Sequence, residues 1–127
     1  MKQLVLYLSL QETLELHEQL IIRFGGLAGV RDMGLLESVL IRPRTGYYET
    51  LSLQAAALFQ SLCQNHCFVD GNKRVAFAAT AIFLRMNGCR LRVEADDGER
   101  FLVDHIIQKK VVIEDIATWL EGRMQKL

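Results

Sequence analysis

Net charge is absent from this sequence: fifteen basic residues meet fifteen acidic ones. That removes the electrostatic case for general nucleic-acid binding, although a local basic cluster can still grip one nucleotide. Neutrality also lowers colloidal solubility, a hint that a partner normally covers part of the surface. Long apolar runs are missing as well. Nothing approaches the roughly 20 residues of a membrane span, and the start, Met1 to Leu8, is too short and too soon polar for a signal peptide. A cytoplasmic chain without membrane contact is expected. The three cysteines, Cys63, Cys67 and Cys89, are odd in number and set among apolar residues, which suits free buried thiols better than a disulfide frame. Cys63, His66 and Cys67 crowd together but have no second ligand cluster, so a zinc site is not expected. No repeat, low-complexity tract or linker divides the 127 residues, and one domain spanning 1–127 is the natural size.

What is present is helical patterning. Leu4 to Leu8 reads as an extended piece or an early helix turn. Ser9 with Glu12 makes a capping box ahead of a helix that Gly25-Gly26 stops. Asp32 caps a short helix ended before the single proline, Pro43. Arg44 to Thr50 looks like an exposed loop or small hairpin. Two strongly apolar helices follow, from about Ser52 to Asn65 and from about Asn72 to Asn87, and such helices occupy the centre of a bundle. Leu91 to Glu94 reads as extended. Asp96 with Glu99 repeats the capping pattern ahead of a helix to about Lys109. A last helix from about Glu114 to Met124 offers Ile116, Trp119 and Leu120 to the core. The fold class is therefore all-α, a compact bundle of six or so helices.

Between the two apolar helices stands His66-Cys67-Phe68-Val69-Asp70-Gly71-Asn72-Lys73-Arg74, in which six of nine residues are polar or glycine. A plain helical connection needs no such concentration of reactive groups. Where the second helix begins, its free N–H groups and dipole make an anion site, and Gly71 lets phosphate approach the backbone. Lys73 and Arg74 add positive charge at a helix start, where cations oppose the dipole unless an anion is bound there. Asp70 suits Mg²⁺, which takes hard oxygen ligands and bridges phosphates. Asn72 fixes the loop or binds a phosphate oxygen. His66 brings an imidazole, the side chain most often used as a general base, and suits that role. Phe68 plugs the loop into the core.

Simpler roles exist for several of these residues. His66 alone would suit a helix end, bonding to the last carbonyls, and Asp70 alone would suit an N-cap. His17 fits a structural hydrogen bond better than catalysis. The cysteines read as inert packing.

HCFVDGNKR resembles the active-site motif of the Fic/Doc family, specifically its Doc branch of toxins from toxin–antitoxin pairs. Fic enzymes that transfer AMP read HPFxxGNGRxxR, whereas Lys73 stands here for the second Gly and Phe77 for the second Arg. Cys67 stands for the usual Pro. LHEQLIIRFGGLAGVRDMGLLESVLIRPR, AIFLRMNG and IEDIATWL are similar to further stretches of Doc-like proteins, so the resemblance covers nearly the whole chain.

The resemblance implies a Fic fold and a protein kinase that moves the γ-phosphate of ATP, with Mg²⁺, onto translation elongation factor Tu. It implies His66 as general base, Asp70 as magnesium ligand, Lys73 and Arg74 as phosphate clamp, and Gly71 and Asn72 as shapers of the anion site. Arg44, Thr45, Gly46, Tyr47 and Tyr48 would form a flap aligning the target peptide. Two other functions remain open: AMP transfer of the Fic kind, and an inactive module that holds a nucleotide or an antitoxin. No internal inhibitory helix is legible, since Thr118 to Gly122 has the wrong spacing and Thr45 to Glu49 falls in a loop. Inhibition is expected from a separate antitoxin of the Phd kind.

Overall fold

The computed structural model describes residues 4–101, 106 and 111–127. Among them are six α-helices: α1 (Leu10–Phe24), α2 (Met33–Ile41), α3 (Leu51–Gln64), α4 (Asn72–Met86), α5 (Ala95–Phe101) and α6 (Ile113–Glu121). A 3-10 turn, Arg42–Arg44, follows α2, and a two-stranded antiparallel ribbon joins β1 (Cys89–Leu91) to β2 (Met124–Lys126). The bundle is all-α, as expected, with this ribbon as its extended element.

Local chemistry sets the helix starts. Ser9 Oγ accepts from Glu12 N–H while Glu12 returns a bond to Ser9 N–H, a reciprocal capping box. Asp32 caps α2 through Leu35 N–H at 3.0 Å, and Thr50 caps α3 through Leu53 N–H at 3.1 Å. Gly25, at φ 86°, stops α1.

α3 is the central post. Ala55, Ala56, Ala57, Phe59 and Leu62 on it are wholly buried. Its alanines let neighbouring helices come close, and Phe59 sets its ring edge-on to Phe77 of α4, 4.8 Å between centroids. Burying such a large side chain contributes about 1.5–3 kcal/mol. α4 adds Val75, Ala76, Ala79 and Phe83 to the same core. The loop between these two posts therefore has both ends anchored in the most buried part of the molecule.

Several expectations change. Leu4 to Leu8 forms no helical turn; its backbone at Leu6 is held by the Asn87 side chain, with both bonds at 2.8 Å. Strand pairing covers Cys89–Leu91 rather than Leu91 to Glu94. The last helix stops at Glu121, because Met124–Lys126 peels off to pair with β1. Trp119 is only half-buried, stacked on Phe101 at 4.1 Å and with the Arg123 guanidinium 4.1 Å from its ring centroid. Helix α5 begins at Ala95, so Asp96 is already inside it, and the expected continuation to Lys109 lies outside the described residues except for Ile106.

Candidate active site

The loop leaves α3 by an uncommon conformation. His66 sits at φ 49°, the one left-handed non-glycine among the described residues. A helix end at this position ordinarily carries glycine. The carbonyls it turns outward go to Arg31, whose Nε donates to His66 O at 2.7 Å and Nη2 to Asn65 O at 3.3 Å. The His66 ring is thus not needed for the helix end, and among the described residues it makes no hydrogen bond. It is exposed.

Beyond His66 the loop pairs with the segment after α1. Val69 N–H donates to Gly29 O at 3.0 Å, and both Arg31 and Asp32 N–H groups reach Cys67 O, at 2.8 and 3.1 Å. Phe68 is buried, as expected of a plug, and stacks on His17 with centroids 3.8 Å apart. His17 Nε2 lies 2.7 Å from Asp70 O. A carbonyl only accepts, so this nitrogen carries the proton, and His17 is a structural tie in the loop.

Asp70 does not cap α4. Its Oδ2 accepts from Leu27 N–H at 3.0 Å and its Oδ1 from Gly71 N–H at 2.8 Å. These two amides, above all Leu27's, hold its carboxyl below the usual carboxylate range, with Arg74 and His17 adding to the effect. The close fit depends on Gly26, where a Cβ would lie 2.7 Å from Asp70 Oδ2. Asn72 fixes the loop: its Oδ1 accepts from Phe68 N–H and its Nδ2 donates to Phe68 O, both at 3.0 Å.

Gly71, φ 76°, stands at the N-cap of α4, and no side chain caps the helix. Its first amides point outward without intrahelical acceptors. Lys73 and Arg74 flank them. Lys73 forms no ion pair among the described residues, and Arg74 lies over the Phe24 ring, 4.7 Å from its centroid. All of His66, Asp70, Gly71, Asn72, Lys73 and Arg74 line one groove of about 1370 Å³. An imidazole, a carboxylate, two cations and an uncapped helix start therefore line the same groove. Cys63 lines it too, but burial pushes that thiol far up, so it offers no thiolate.

The expected flap is a loop, not a hairpin. None of Arg44, Thr45, Gly46, Tyr47 and Tyr48 lines the groove. Tyr47 is 81% exposed and meets Tyr48 edge-on. Tyr48 is tied by its hydroxyl to Arg42 Nε at 2.7 Å, and Arg42 runs on to Ser61 and Gln60 of α3. Arg44 covers the Tyr7 ring. Two residues of the site region escaped the sequence reading in their present roles, Arg31 and Arg42, since both act on segments distant along the chain.

The Fic/DOC family model matches residues 7–84, which include the whole of this loop. The chain belongs to the Fic/DOC family. It is 43% identical over 107 residues to the Toxin Doc of Mycolicibacterium smegmatis, covering 80% of this chain and 82% of that one. It is 34% identical over 89 residues to the Protein kinase doc of Escherichia phage P1, covering 67% and 71%. Both relatives carry the Doc name, in keeping with Lys73 at the position where AMP-transferring Fic motifs have glycine. Among the described residues of this Fic/Doc chain, no cluster of three or more His, Cys, Asp or Glu side chains is placed to hold a metal, and no helix is long and apolar enough to cross a membrane.

Proposed function

We propose that this chain is the toxin of a toxin–antitoxin pair and a protein kinase that transfers the γ-phosphate of ATP to a hydroxyl of translation elongation factor Tu. One observation carries the reading: His66, whose ring makes no hydrogen bond among the described residues, and the uncapped start of α4 line one groove. The names of the two relatives support it, one a toxin and one a protein kinase.

In this reading the α4 amides, Lys73 and Arg74 hold the terminal phosphates. His66 takes the proton of the attacking hydroxyl. That oxygen bonds to the γ-phosphorus, the bridging P–O bond to the β-phosphate breaks, and ADP leaves. Positioning and charge neutralisation carry such a transfer. Asp70 fits a magnesium ligand: it is exposed, held ionised, and each carboxylate oxygen keeps a lone pair beyond its one amide bond. A single carboxylate with phosphate oxygens and water is a common Mg²⁺ arrangement, and the ion, when bound, neutralises charge on the phosphates. Exposed Ile22, Phe24, Leu27 and Val69 lie on the end of α1, the following loop and the motif itself. We assign these exposed apolar side chains to contact with a Phd-like antitoxin.

Incubation with elongation factor Tu and ATP labelled at either phosphate tests the assignment. Label from the γ position in the target supports the kinase. Label from the α position replaces it with AMP transfer. No label from either, with no growth arrest on expression, leaves a binding module.

A further inference from the structure

Arg31 grips three consecutive carbonyls around the proposed general base, and we infer that it is the positioning residue for His66. The inference rests on the reading of His66 as that base. Arg31 Nη2 donates to Asn65 O at 3.3 Å, Nε to His66 O at 2.7 Å, and its backbone N–H to Cys67 O at 2.8 Å. One residue from the α1–α2 loop thus spans the peptide groups on both sides of the His66 Cα.

That grip answers a specific need. At φ 49° His66 occupies the left-handed region, which a side-chain-bearing residue holds only when its surroundings over-determine it. The ring supplies none of that restraint, since among the described residues it bonds to nothing. The backbone at residue 66 is therefore what sets where its side chain leaves the chain, beside the groove that it lines. Glycine would adopt this conformation at little cost but would bring no imidazole. Arg31 holds the backbone in a glycine-like shape while the side chain stays free for chemistry. A lysine at 31 would not serve as well, because a point-like ammonium lacks the planar fork that reaches two carbonyls together.

Arg31 does not itself line the groove and makes no bond to the first amides of α4; its one link to the groove lining is His66 O, so its loss acts on proton transfer and leaves phosphate binding alone. Arg31→Met keeps the apolar stem and removes the side-chain donors. In this variant kcat falls about tenfold or more while KM for ATP stays within about twofold. Arg31→Lys recovers only part of the loss. An unchanged kcat, or a loss confined to KM, overturns the inference.

A second measurement stands apart from the reaction. With Arg31 in place, His66→Gly raises Tm by about a few degrees, because glycine relieves the left-handed strain. In the Arg31→Met background the same change gives no rise, since the released loop no longer forces residue 66 to positive φ. An equal rise in both backgrounds shows that Arg31 does not hold the conformation and overturns the inference even if the chain proves to be a kinase. Coupling seen in a protein without any transfer activity leaves the grip established and removes the catalytic reading alone.

Discussion

The side chain of Asn72 closes on the backbone of Phe68 from both sides, accepting from its N–H and donating to its carbonyl, each at 3.0 Å. This mutual clasp ties the plug of the loop to the first residue of α4. The clasp therefore fixes the backbone of the loop that carries His66 against the helix start.

Breaking half of that clasp separates fold from function. Asn72→Asp keeps an acceptor for Phe68 N–H but leaves the Phe68 carbonyl without its donor and puts a negative charge where phosphate would bind. The expected loss of stability is about 1–3 kcal/mol, with ATP affinity reduced far more than by Asn72→Ala. Denaturant unfolding and nucleotide titration of both variants check this. Equal ATP affinity in the two would remove the anion site from the account.

His17 is predicted to be structural. His17→Phe retains a ring to stack on Phe68 but leaves the Asp70 carbonyl without its donor, costing about 1–3 kcal/mol. His66→Ala, at an exposed ring with no bond, shifts stability by about 0.5 kcal/mol or less while abolishing transfer. Thermal unfolding beside transfer assays should therefore give opposite rankings of the two histidines.

Much of this was legible in the sequence, and the reason is local. Ser9 with Glu12, Asp32, and the glycine at 71 act on residues within one helical turn of themselves, so their roles follow from spacing. The arrangement of β1 was not legible. Its partner is a three-residue strand at the far end of the chain, and so short a segment carries no period of its own. Arg31 was hidden for the same reason: its acceptor is 35 residues away. His17 gained a definite part only when Asp70 O was seen at its Nε2. Lys73 and Arg74 stood out because they stand against the helix dipole, and both lie in the first turn of α4 along the groove.

Gly26 guards the carboxylate. A Cβ there would press on Asp70 Oδ2, and the residue's φ of 114° disfavours any side chain. Gly26→Ala is expected to cost about 1–3 kcal/mol and to weaken the magnesium dependence of transfer. Differential scanning and a magnesium titration read the two effects. A variant with normal stability and normal magnesium response would show that the carboxylate moves freely.

Asp70 also sets a pH response. Its folded carboxyl titrates below its ordinary value because the Leu27 and Gly71 amides bond the ionised form. A group with a depressed folded pKa stabilises the protein above its unfolded pKa, and the contribution fades as pH falls through the folded one. Acidification below the ordinary carboxylate range should therefore destabilise the wild type more than Asp70→Asn. Unfolding curves across that acidic range check the difference, and parallel curves would contradict it.

Transfer itself is the most direct test of the His66–α4 junction. Wild type and His66→Ala, at matched folded concentration, are given elongation factor Tu and ATP labelled at the γ-phosphate. The account predicts label on the wild-type target, none with His66→Ala, and equal ATP binding by both proteins. Undiminished labelling by His66→Ala would contradict it.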